Sequence, residues 1–375
     1  MKILLTGGGS GGHFYPIIAI TQSLNKIIKD QKLVDVDIYY MAPQPYDARA
    51  LYENNLKFVR NSAGKKRRYF SILNFFDYFK TAWGLLTAIW TLFWIYPDVV
   101  FGKGGYVSFP ALIAARFFRI PVVIHESDCY PGRVNLWAGK FARKIAVSYP
   151  EASQYFPHNK VAHTGNPIRL DILHSDNQGS LEFLGLEQGV PTLLILGGSQ
   201  GSELINDVII DILPQLVSKY NVVHQTGPNN YGIVKNTAEV VLMKSEHKHR
   251  YKSFDHLNSL SLRMAAGTSE LIVSRAGSTI FEIAIWGIPS IIIPITESNG
   301  NHQRKNAYSY ARTGAAEVIE ENNLTSHIVL SEIDRIMADK QVQEKMITSA
   351  KAFSRIDAAD KIAAELIEIG LEHEK

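Results

Sequence analysis

The sequence contains one cysteine, Cys129, among its 375 residues. One cysteine cannot form an intramolecular disulfide or a zinc site built from several thiolates, which is typical of proteins kept in a reducing cytoplasm. The chain also starts directly on a predicted strand, without the charged and hydrophobic regions of a secretory signal. The formal net charge is only +3, which does not favour nucleic acid as a partner. We therefore expect a cytoplasmic protein that binds no nucleic acid.

The sequence also lacks a continuously apolar run long enough to span a membrane. The candidate segment, the uncharged residues 81–96, is shorter than the roughly 20 residues that a membrane-spanning helix needs. For residues 83–96 we expect a buried helix that packs on a sheet. The preceding segment places basic residues next to aromatic ones, a combination that favours contact with an anionic membrane surface. The predicted membrane patch consists of Lys65, Lys66, Arg67, Arg68, Phe75, Phe76 and Phe79.

Short apolar strands alternate with helical segments along most of the chain. The N-terminal "KILLT", "VDIYYMA", "PDVVFGKG" and "PVVIHES" are continuous apolar runs, which is typical of parallel strands that are covered on both faces. The pattern of strand, glycine loop and helix starts again at "PTLLILGGSQGSELIND". A length of 375 residues suits two domains with separate cores. The sequence therefore predicts two similar α/β domains, joined near residues 165–173.

The first glycine loop, "TGGGSGGHFYP", contains the G-x-G-x-x-G spacing of dinucleotide-binding proteins at Gly7, Gly9 and Gly12. An NAD site also needs an acidic residue at the end of the second strand to bind the ribose. That strand ends in the uncharged "MAP", and Asp35 and Asp37 lie at its opposite end. A redox role is therefore disfavoured. Glycine loops that precede helices also bind other anions, since they present free backbone N–H groups.

Six segments, in this order and spacing, resemble the MurG family: "TGGGSGGHFYP", "GKGGYVSFPALIAA", "IPVVIHES", "GNPIR", "LGGSQGS" and "SRAGSTIFEIAIWGIPSIIIPI" followed by "NHQRKNA". Members of this family transfer N-acetylglucosamine from UDP to lipid I, giving lipid II for peptidoglycan. The resemblance implies a GT-B fold, in which two Rossmann-like domains with parallel sheets face a central cleft. It implies an acceptor- and membrane-binding domain in residues 1–166 and a UDP-sugar domain in residues 167–350. Residues 351–375 are expected to form a helix that packs back toward the N-terminal domain.

The resemblance also assigns a donor site. Glu282 falls one turn into a predicted helix, where a carboxylate can bind the two ribose hydroxyls, although an acid there also suits the helix dipole. Amide side chains near residue 303 suit sugar hydroxyls, although a solvated polar loop has the same composition. The implied donor residues are Arg169, Ser199, Gln200, Phe254, Ser278, Thr279, Glu282, His302, Gln303, Asn306 and Asp128. Two of them depart from the family pattern: Asp128 replaces an asparagine and His302 a common glutamine.

Glycosyl transfer needs a base for the acceptor hydroxyl and stabilisation of the leaving diphosphate. His13 leaves the first glycine loop and is a candidate for the base, although it could instead cap the loop or touch phosphate. Glu126 competes for the role of base. The two N-terminal glycine loops could bind the acceptor diphosphate or could simply be tight turns. The acceptor-diphosphate residues implied are Gly8, Gly9, Ser10, Gly11, Gly12, Gly104, Gly105 and Tyr106.

We therefore expect an inverting transferase of GlcNAc from UDP-GlcNAc to a polyprenyl-diphosphate-linked acceptor, with no cofactor and no obligatory metal. It would lie peripherally on the inner face of the cell membrane. A related transferase that uses diacylglycerol or another lipid is an alternative. A non-catalytic membrane-recruitment subunit is a second alternative, against which the donor residues Ser199, Glu282, Gln303 and Asn306 argue.

Overall fold

The computed structural model describes residues 1–64, 73–296 and 301–372. The chain divides into two compact units, one formed by Met1–Arg169 with Arg355–Lys375 and the other by Leu170–Ser354. Each unit has its own parallel sheet covered by helices, so the predicted fold class, two parallel α/β domains in tandem, is confirmed.

Unit 1 contains a parallel sheet with the strand order β3-β2-β1-β4-β5-β6-β7. Its strands are β1 (Lys2–Thr6), β2 (Asp37–Ala42), β3 (Lys57–Arg60), β4 (Val99–Gly102), β5 (Val122–Glu126), β6 (Lys144–Val147) and β7 (Val161–His163). The central strands are buried apolar runs, because helices cover both faces of the sheet.

The helices of unit 1 are α1 (Gly11–Asp30), α2 (Ala48–Glu53), α3 (Leu73–Ile95), α4 (Gly105–Phe117), α5 (Arg133–Ala138) and, at the other end of the chain, α15 (Ala358–Leu371). Helix α15 packs against α1. Its Ile362, Leu366 and Ile369 lie in the same buried cluster as Phe14 and Ile17 of α1. The last helix of the chain is therefore part of the core of unit 1.

Unit 2 contains a parallel sheet with the order β10-β9-β8-β11-β12-β13. Its strands are β8 (Thr192–Leu196), β9 (Asn221–Gln225), β10 (Tyr251–Phe254), β11 (Ser269–Arg275), β12 (Ser290–Ile293) and β13 (Ala316–Val318). Its helices are α6 (Ser180–Leu184), α7 (Glu203–Asp211), α8 (Leu213–Lys219), α9 (Tyr231–Val241), α10 (Ser259–Thr268), α11 (Thr279–Trp286), α12 (His302–Ala311), α13 (Ser326–Ala338) and α14 (Lys340–Phe353).

The strand order of each sheet reverses at one point, between β1 and β4 in unit 1 and between β8 and β11 in unit 2. Ligands of parallel α/β sheets bind at the carboxyl ends of the strands beside such a point. The glycine-containing segments that follow these four strands lie there, at residues 7–10, 103–105, 197–201 and 276–278. The topology thus places every predicted glycine loop at the edge of its sheet where ligands bind.

Two local predictions differ from the structure. Helix α1 begins at Gly11, so Gly11 and Gly12 belong to its first turn and the loop is shorter than predicted. The short edge strands β3 and β13 were not predicted from the sequence. Strand β3 is mostly exposed, so it lacks the continuous apolar run by which the central strands are recognised.

Candidate functional site

Charged and imidazole side chains collect at the carboxyl edge of the sheet of unit 1. His13 lies in the first turn of α1, Lys103 directly follows β4, and His125 and Glu126 end β5. Asp128 lies two residues beyond β5 and is partly buried. Lys103, His125 and Glu126 are all buried. Because the strands are parallel and adjacent, residues distant in sequence form one cluster at this edge.

His13 is partly exposed, but its Nδ1 atom is buried and has no hydrogen-bond partner among the residues that the structure describes. Desolvation lowers the pKa of His13 to about 4, and the nearby positive charge of Lys103 acts in the same direction. At neutral pH the imidazole is therefore uncharged and able to accept a proton. Gly105 lies beside the ring, since a Cβ atom there would be 3.6 Å from Nε2.

Glu126 is held by three donors on the segment that follows it. Its Oε1 accepts from the backbone N–H of Asp128 at 3.0 Å. Its Oε2 accepts from Gly132 N and from Asn135 Nδ2, both at 2.9 Å. Burial and then the charge of Asp128 raise the pKa of Glu126. The carboxyl group therefore fixes the path of residues 127–135, and its two oxygens already have partners.

His125 and Lys103 complete the cluster. His125 Nε2 lies 3.1 Å from the carbonyl oxygen of Gly165 and 3.2 Å from Ser148 Oγ, and burial lowers its pKa well below the usual value. Lys103 is 1% exposed. We did not predict Lys103 as a site residue; the available signal was a lysine placed directly after the buried strand "VVFG".

The two N-terminal glycine loops predicted to bind the acceptor diphosphate lie side by side. A Cβ atom at Gly9 would approach the ring of Tyr106 to 3.3 Å, and Gly9 has φ +86°. Gly104 has φ +89°, and a Cβ atom there would lie 2.7 Å from Asn135 Nδ2. Both positions combine a positive φ with close packing, so they require glycine. The loops therefore approach each other and the side chain that holds Glu126.

Arg169, predicted to bind the donor, belongs to unit 1. Its guanidinium carbon lies 3.9 Å from the ring centre of Tyr15 on α1, within the range of a cation–π interaction. Asp128, the other donor residue of unit 1, lies in the cluster of His13 and Lys103. The remaining predicted donor residues belong to unit 2.

At the carboxyl edge of the sheet of unit 2, the first polar part is the loop at residues 197–201. Its Ser199 and Gln200 are exposed. Ser202 caps α7 and accepts a hydrogen bond from Arg275 Nη2 at 2.5 Å. Arg275 also forms an ion pair with Glu321 at 2.7 Å. A cavity of about 340 Å³ opens beside this loop, and it is lined by Gln200, Gly201, Ser202, Glu203, Leu204, Asn229, Asn230 and Arg275. Arg275 was not predicted as a site residue, although it lies within the quoted segment "SRAGSTIFEIAIWGIPSIIIPI".

The second part of this edge is the N-terminus of α11. Ser278 is the N-cap residue, Thr279 begins the helix, and Glu282 lies in its first turn, all partly exposed. Ile280 and Ile283 of the same helix are buried and fix its position on the sheet. The predicted place of Glu282, one turn into a helix, is confirmed.

Three other predicted donor residues contribute to the internal structure of unit 2. Gln303 Oε1 accepts from Ile295 N at 3.2 Å. Asn306 is 2% exposed, and its Nδ2 donates to the carbonyl of Ala276 at 3.4 Å. The carbonyl of Phe254 accepts from the backbone N–H and hydroxyl of Thr226. His302 begins α12. These contacts tie α12 to the loops that follow β11 and β12, and the end of β10 to the loop that follows β9.

Helix α3 carries a row of exposed apolar side chains along one face, which we call the aromatic stripe. Trp83 and Trp90 are 65% and 64% exposed, whereas Ala88 and Leu92 on the opposite face are buried. The prediction of a buried helix over residues 83–96 is therefore wrong for this face. Helical spacing aligns the members of the stripe, which are Phe75, Phe79, Trp83, Leu86, Trp90 and Trp94.

The stripe includes Phe75 and Phe79 of the predicted membrane patch. Lys65, Lys66, Arg67 and Arg68 lie outside the described residues, as does the side chain of Phe76. Within the ranges that the structure covers, no helix has the length and apolar character needed to cross a membrane.

Comparison with known proteins identifies the class to which these two units belong. Residues 3–147 match the N-terminal domain of glycosyltransferase family 28, and residues 192–362 match its C-terminal domain. A transferase of Clostridium novyi (strain NT) is 35% identical over 360 residues, which cover 95% of this chain and 96% of that protein. The chain therefore belongs to glycosyltransferase family 28, and it is a glycosyltransferase.

Two of the similar proteins carry the same descriptive name. The Clostridium novyi protein is named UDP-N-acetylglucosamine–N-acetylmuramyl-(pentapeptide) pyrophosphoryl-undecaprenol N-acetylglucosamine transferase. A Bacillus anthracis protein with the same name and the number 2 is 32% identical over 98% of this chain and 99% of its own length. The crystal structure of Acinetobacter baumannii MurG superimposes with a TM-score of 0.72 at 22% identity, covering 98% of this chain and 99% of that one. The predicted family resemblance is confirmed.

Proposed function

We propose that this chain transfers N-acetylglucosamine from UDP-N-acetylglucosamine to a muramyl-peptide acceptor linked to a polyprenyl diphosphate. The observation that carries the proposal is the similarity, over 95% of the chain, to a transferase named for that reaction. The geometry of both units is compatible with it. Unit 1 offers glycine loops and an uncharged imidazole, and unit 2 offers helix N-termini and a carboxylate at the edge of its sheet.

In the proposed reaction His13 accepts the proton of the acceptor hydroxyl while that oxygen attacks the anomeric carbon of the sugar. The bond from that carbon to the UDP oxygen breaks, and UDP leaves with both electrons. Backbone N–H groups at Ser278 and Thr279 stabilise the diphosphate, and Glu282 binds the ribose hydroxyls. Glu126 organises the acceptor side through its three hydrogen bonds.

We further propose that the aromatic stripe rests on an anionic membrane that carries the lipid acceptor. Tryptophan and phenylalanine side chains are favourable in the headgroup region of a bilayer, and the stripe presents them along one face of a single helix. The basic residues 65–68 precede this helix in the sequence, where they would add electrostatic attraction to anionic lipids.

The test is a transfer assay with the purified chain and radiolabelled UDP-N-acetylglucosamine, run in parallel with lipid I and with diacylglycerol. Labelled product from lipid I alone is the expected result. Labelled product from diacylglycerol alone would show that the acceptor is diacylglycerol and not lipid I. Binding of UDP raises the melting temperature of a protein that recognises it, because UDP binds only the folded state. The absence of both a labelled product and a thermal shift with UDP would contradict any transferase function.

A further inference from the structure

Lys103 is a buried cation whose role is not explained by the fold. It directly follows β4 at the point where the strand order of unit 1 reverses, and it is 1% exposed. Its Nζ atom has no hydrogen-bond partner among the described residues. Burial lowers the pKa of Lys103 to about 8, while attraction to Glu126 and Asp128 opposes this shift. An unpaired ammonium in such a position is unfavourable for folding, so a functional reason is expected.

The surroundings of Lys103 are built to receive negative charge. Its backbone N–H donates to the carbonyl of Thr6 at 2.8 Å, which joins the starts of both glycine loops. A Cβ atom at Gly7 would lie 2.7 Å from the Cβ of Lys103, so the first loop closes directly over the lysine. The helices that follow the loops, α1 and α4, have no acidic residue in their first turns. Both helix dipoles therefore add to the positive potential at the loops.

The other titratable groups that face the lysine do not neutralise it through a hydrogen bond. His13 and His125 are uncharged at neutral pH because their pKa values are lowered. Glu126 is committed to the N–H groups of the following segment and carries a raised pKa. Asp128 attracts the ammonium through space, and Lys103 Nζ donates no hydrogen bond to it.

We propose that Lys103 provides the fixed positive charge that attracts the diphosphate of the lipid-linked acceptor to the two glycine loops. This inference rests on the proposed function and adds a residue that determines acceptor affinity. The ammonium acts from beneath the loops, where little water screens its charge, so it needs no direct contact with the anion. The alternative source of a diphosphate is the UDP of the donor, and the kinetics distinguish the two.

The first test replaces the charge with an uncharged chain of similar length, Lys103→Met. The expected result is a KM for lipid I that rises about tenfold, while the KM for UDP-N-acetylglucosamine stays within about twofold, since only acceptor binding loses an attraction. Lys140→Met, at an exposed lysine of the same unit, is the matched control and should leave both values unchanged. A rise confined to the donor KM, or no change in either KM, would overturn the proposal.

The second test starts from the wild type and follows the pH dependence of its acceptor KM. In the wild type, the acceptor KM should rise as the pH increases from about 7 to about 9.5, because the ammonium loses its proton near pH 8. Lys103→Met should give a high and pH-independent KM. Lys103→Arg should keep a low KM at high pH, because a guanidinium stays charged. A flat wild-type profile, or a wild-type slope that persists in Lys103→Met, contradicts the inference.

A binding measurement separates this inference from the proposed function. Inorganic diphosphate is titrated into the full chain by calorimetry at neutral pH, with saturating UDP present to fill a donor site. If diphosphate binds more weakly to Lys103→Met than to the wild type, the result supports the proposed role of the Lys103 charge, even if no lipid acceptor is ever glycosylated. Equal binding to both proteins opposes it. Absence of transfer by the wild type, in contrast, contradicts the proposed function alone.

Discussion

Individual atoms at the edge of unit 1 distinguish the two candidate bases. Both oxygens of Glu126 accept hydrogen bonds from the following segment, and its raised pKa follows from burial. His13 is partly exposed, and its lowered pKa keeps it unprotonated at neutral pH. A low pKa makes a weaker base but guarantees the form that can accept a proton. This arrangement favours His13 for proton transfer and Glu126 for support of the loop.

His13→Gln should lower kcat by about a hundredfold or more, the usual contribution of a general base, with the KM for the donor within about twofold. Glu126→Gln should instead lower the free energy of unfolding by about 1–3 kcal/mol, since one N–H donor loses its acceptor. Steady-state kinetics and urea unfolding measure the two effects. Near-normal turnover in His13→Gln, or a kinetic loss without destabilisation in Glu126→Gln, would reverse the two assignments.

Glu282 is the residue on which we base the predicted ribose contact. Its place in the first turn of α11 leaves it partly exposed beside Ser278. Glu282→Gln should weaken UDP binding by about tenfold or more, because a hydrogen bond to a charged group contributes about 1.5–3 kcal/mol. Calorimetric titration with UDP measures the change. Glu239→Gln, on α9 of the same unit and exposed, serves as the control. Equal UDP affinity in Glu282→Gln and the control would remove Glu282 from the donor site.

Among the helices, α3 differs most from its prediction. Its apolar residues recur at helical spacing on more than one face, and such a pattern indicates a helix without showing which face is covered. The structure covers the face with Ala88 and Leu92 and leaves the aromatic stripe exposed. An exposed apolar row of this kind marks an interaction surface.

Trp83→Gln combined with Trp90→Gln should lower binding to vesicles that contain anionic lipid by about tenfold or more, because each large apolar side chain contributes about 1.5–3 kcal/mol when it leaves water. Flotation or sedimentation with vesicles measures the partition coefficient. Phe183→Gln, at an exposed aromatic residue of unit 2, is the matched control. Unchanged vesicle binding in the double variant would show that the stripe meets a different partner.

For the molecule as a whole, buried histidines couple folding to pH. His224 on β9 is fully buried, and its Nε2 and Nδ1 lie 3.0 Å from Asn206 Oδ1 and the Tyr251 hydroxyl. Burial lowers the pKa of His224 to about 3, and His125 in unit 1 is lowered in the same direction. Below pH 6.5 the unfolded chain therefore binds protons that the folded chain does not, and stability falls as the pH falls.

Urea unfolding of the wild type between about pH 7 and about pH 5 should show this loss, with His224 contributing about 2 kcal/mol over that interval. His224→Gln should be less stable at pH 7 but should lose less stability on acidification, since it has no imidazole to protonate. The exposed His327 offers a control, and His327→Gln should retain the dependence of the wild type. Parallel pH dependence in His224→Gln and the wild type would refute the coupling.

The sequence predicted the central strands well because a strand covered on both faces must be apolar throughout, as in "TLLIL" and "VVIHE". It also predicted the glycine loops and the place of Glu282, since these depend on local backbone chemistry. It did not predict Lys103 or Arg275. Both are buried charges, and their surroundings come from strands and loops distant along the chain.

The sequence by itself determined the two α/β domains, the glycine loops and the family, because periodicity and turn chemistry are written in consecutive residues. Only the tertiary structure decided which face of α3 stays exposed and which acid is already occupied by N–H donors. It also decided that a lysine lies buried and unpaired under two loops, among the residues that it describes. The physical reason is that burial and electrostatics are set by neighbours in space, which in a parallel sheet come from separate βα units.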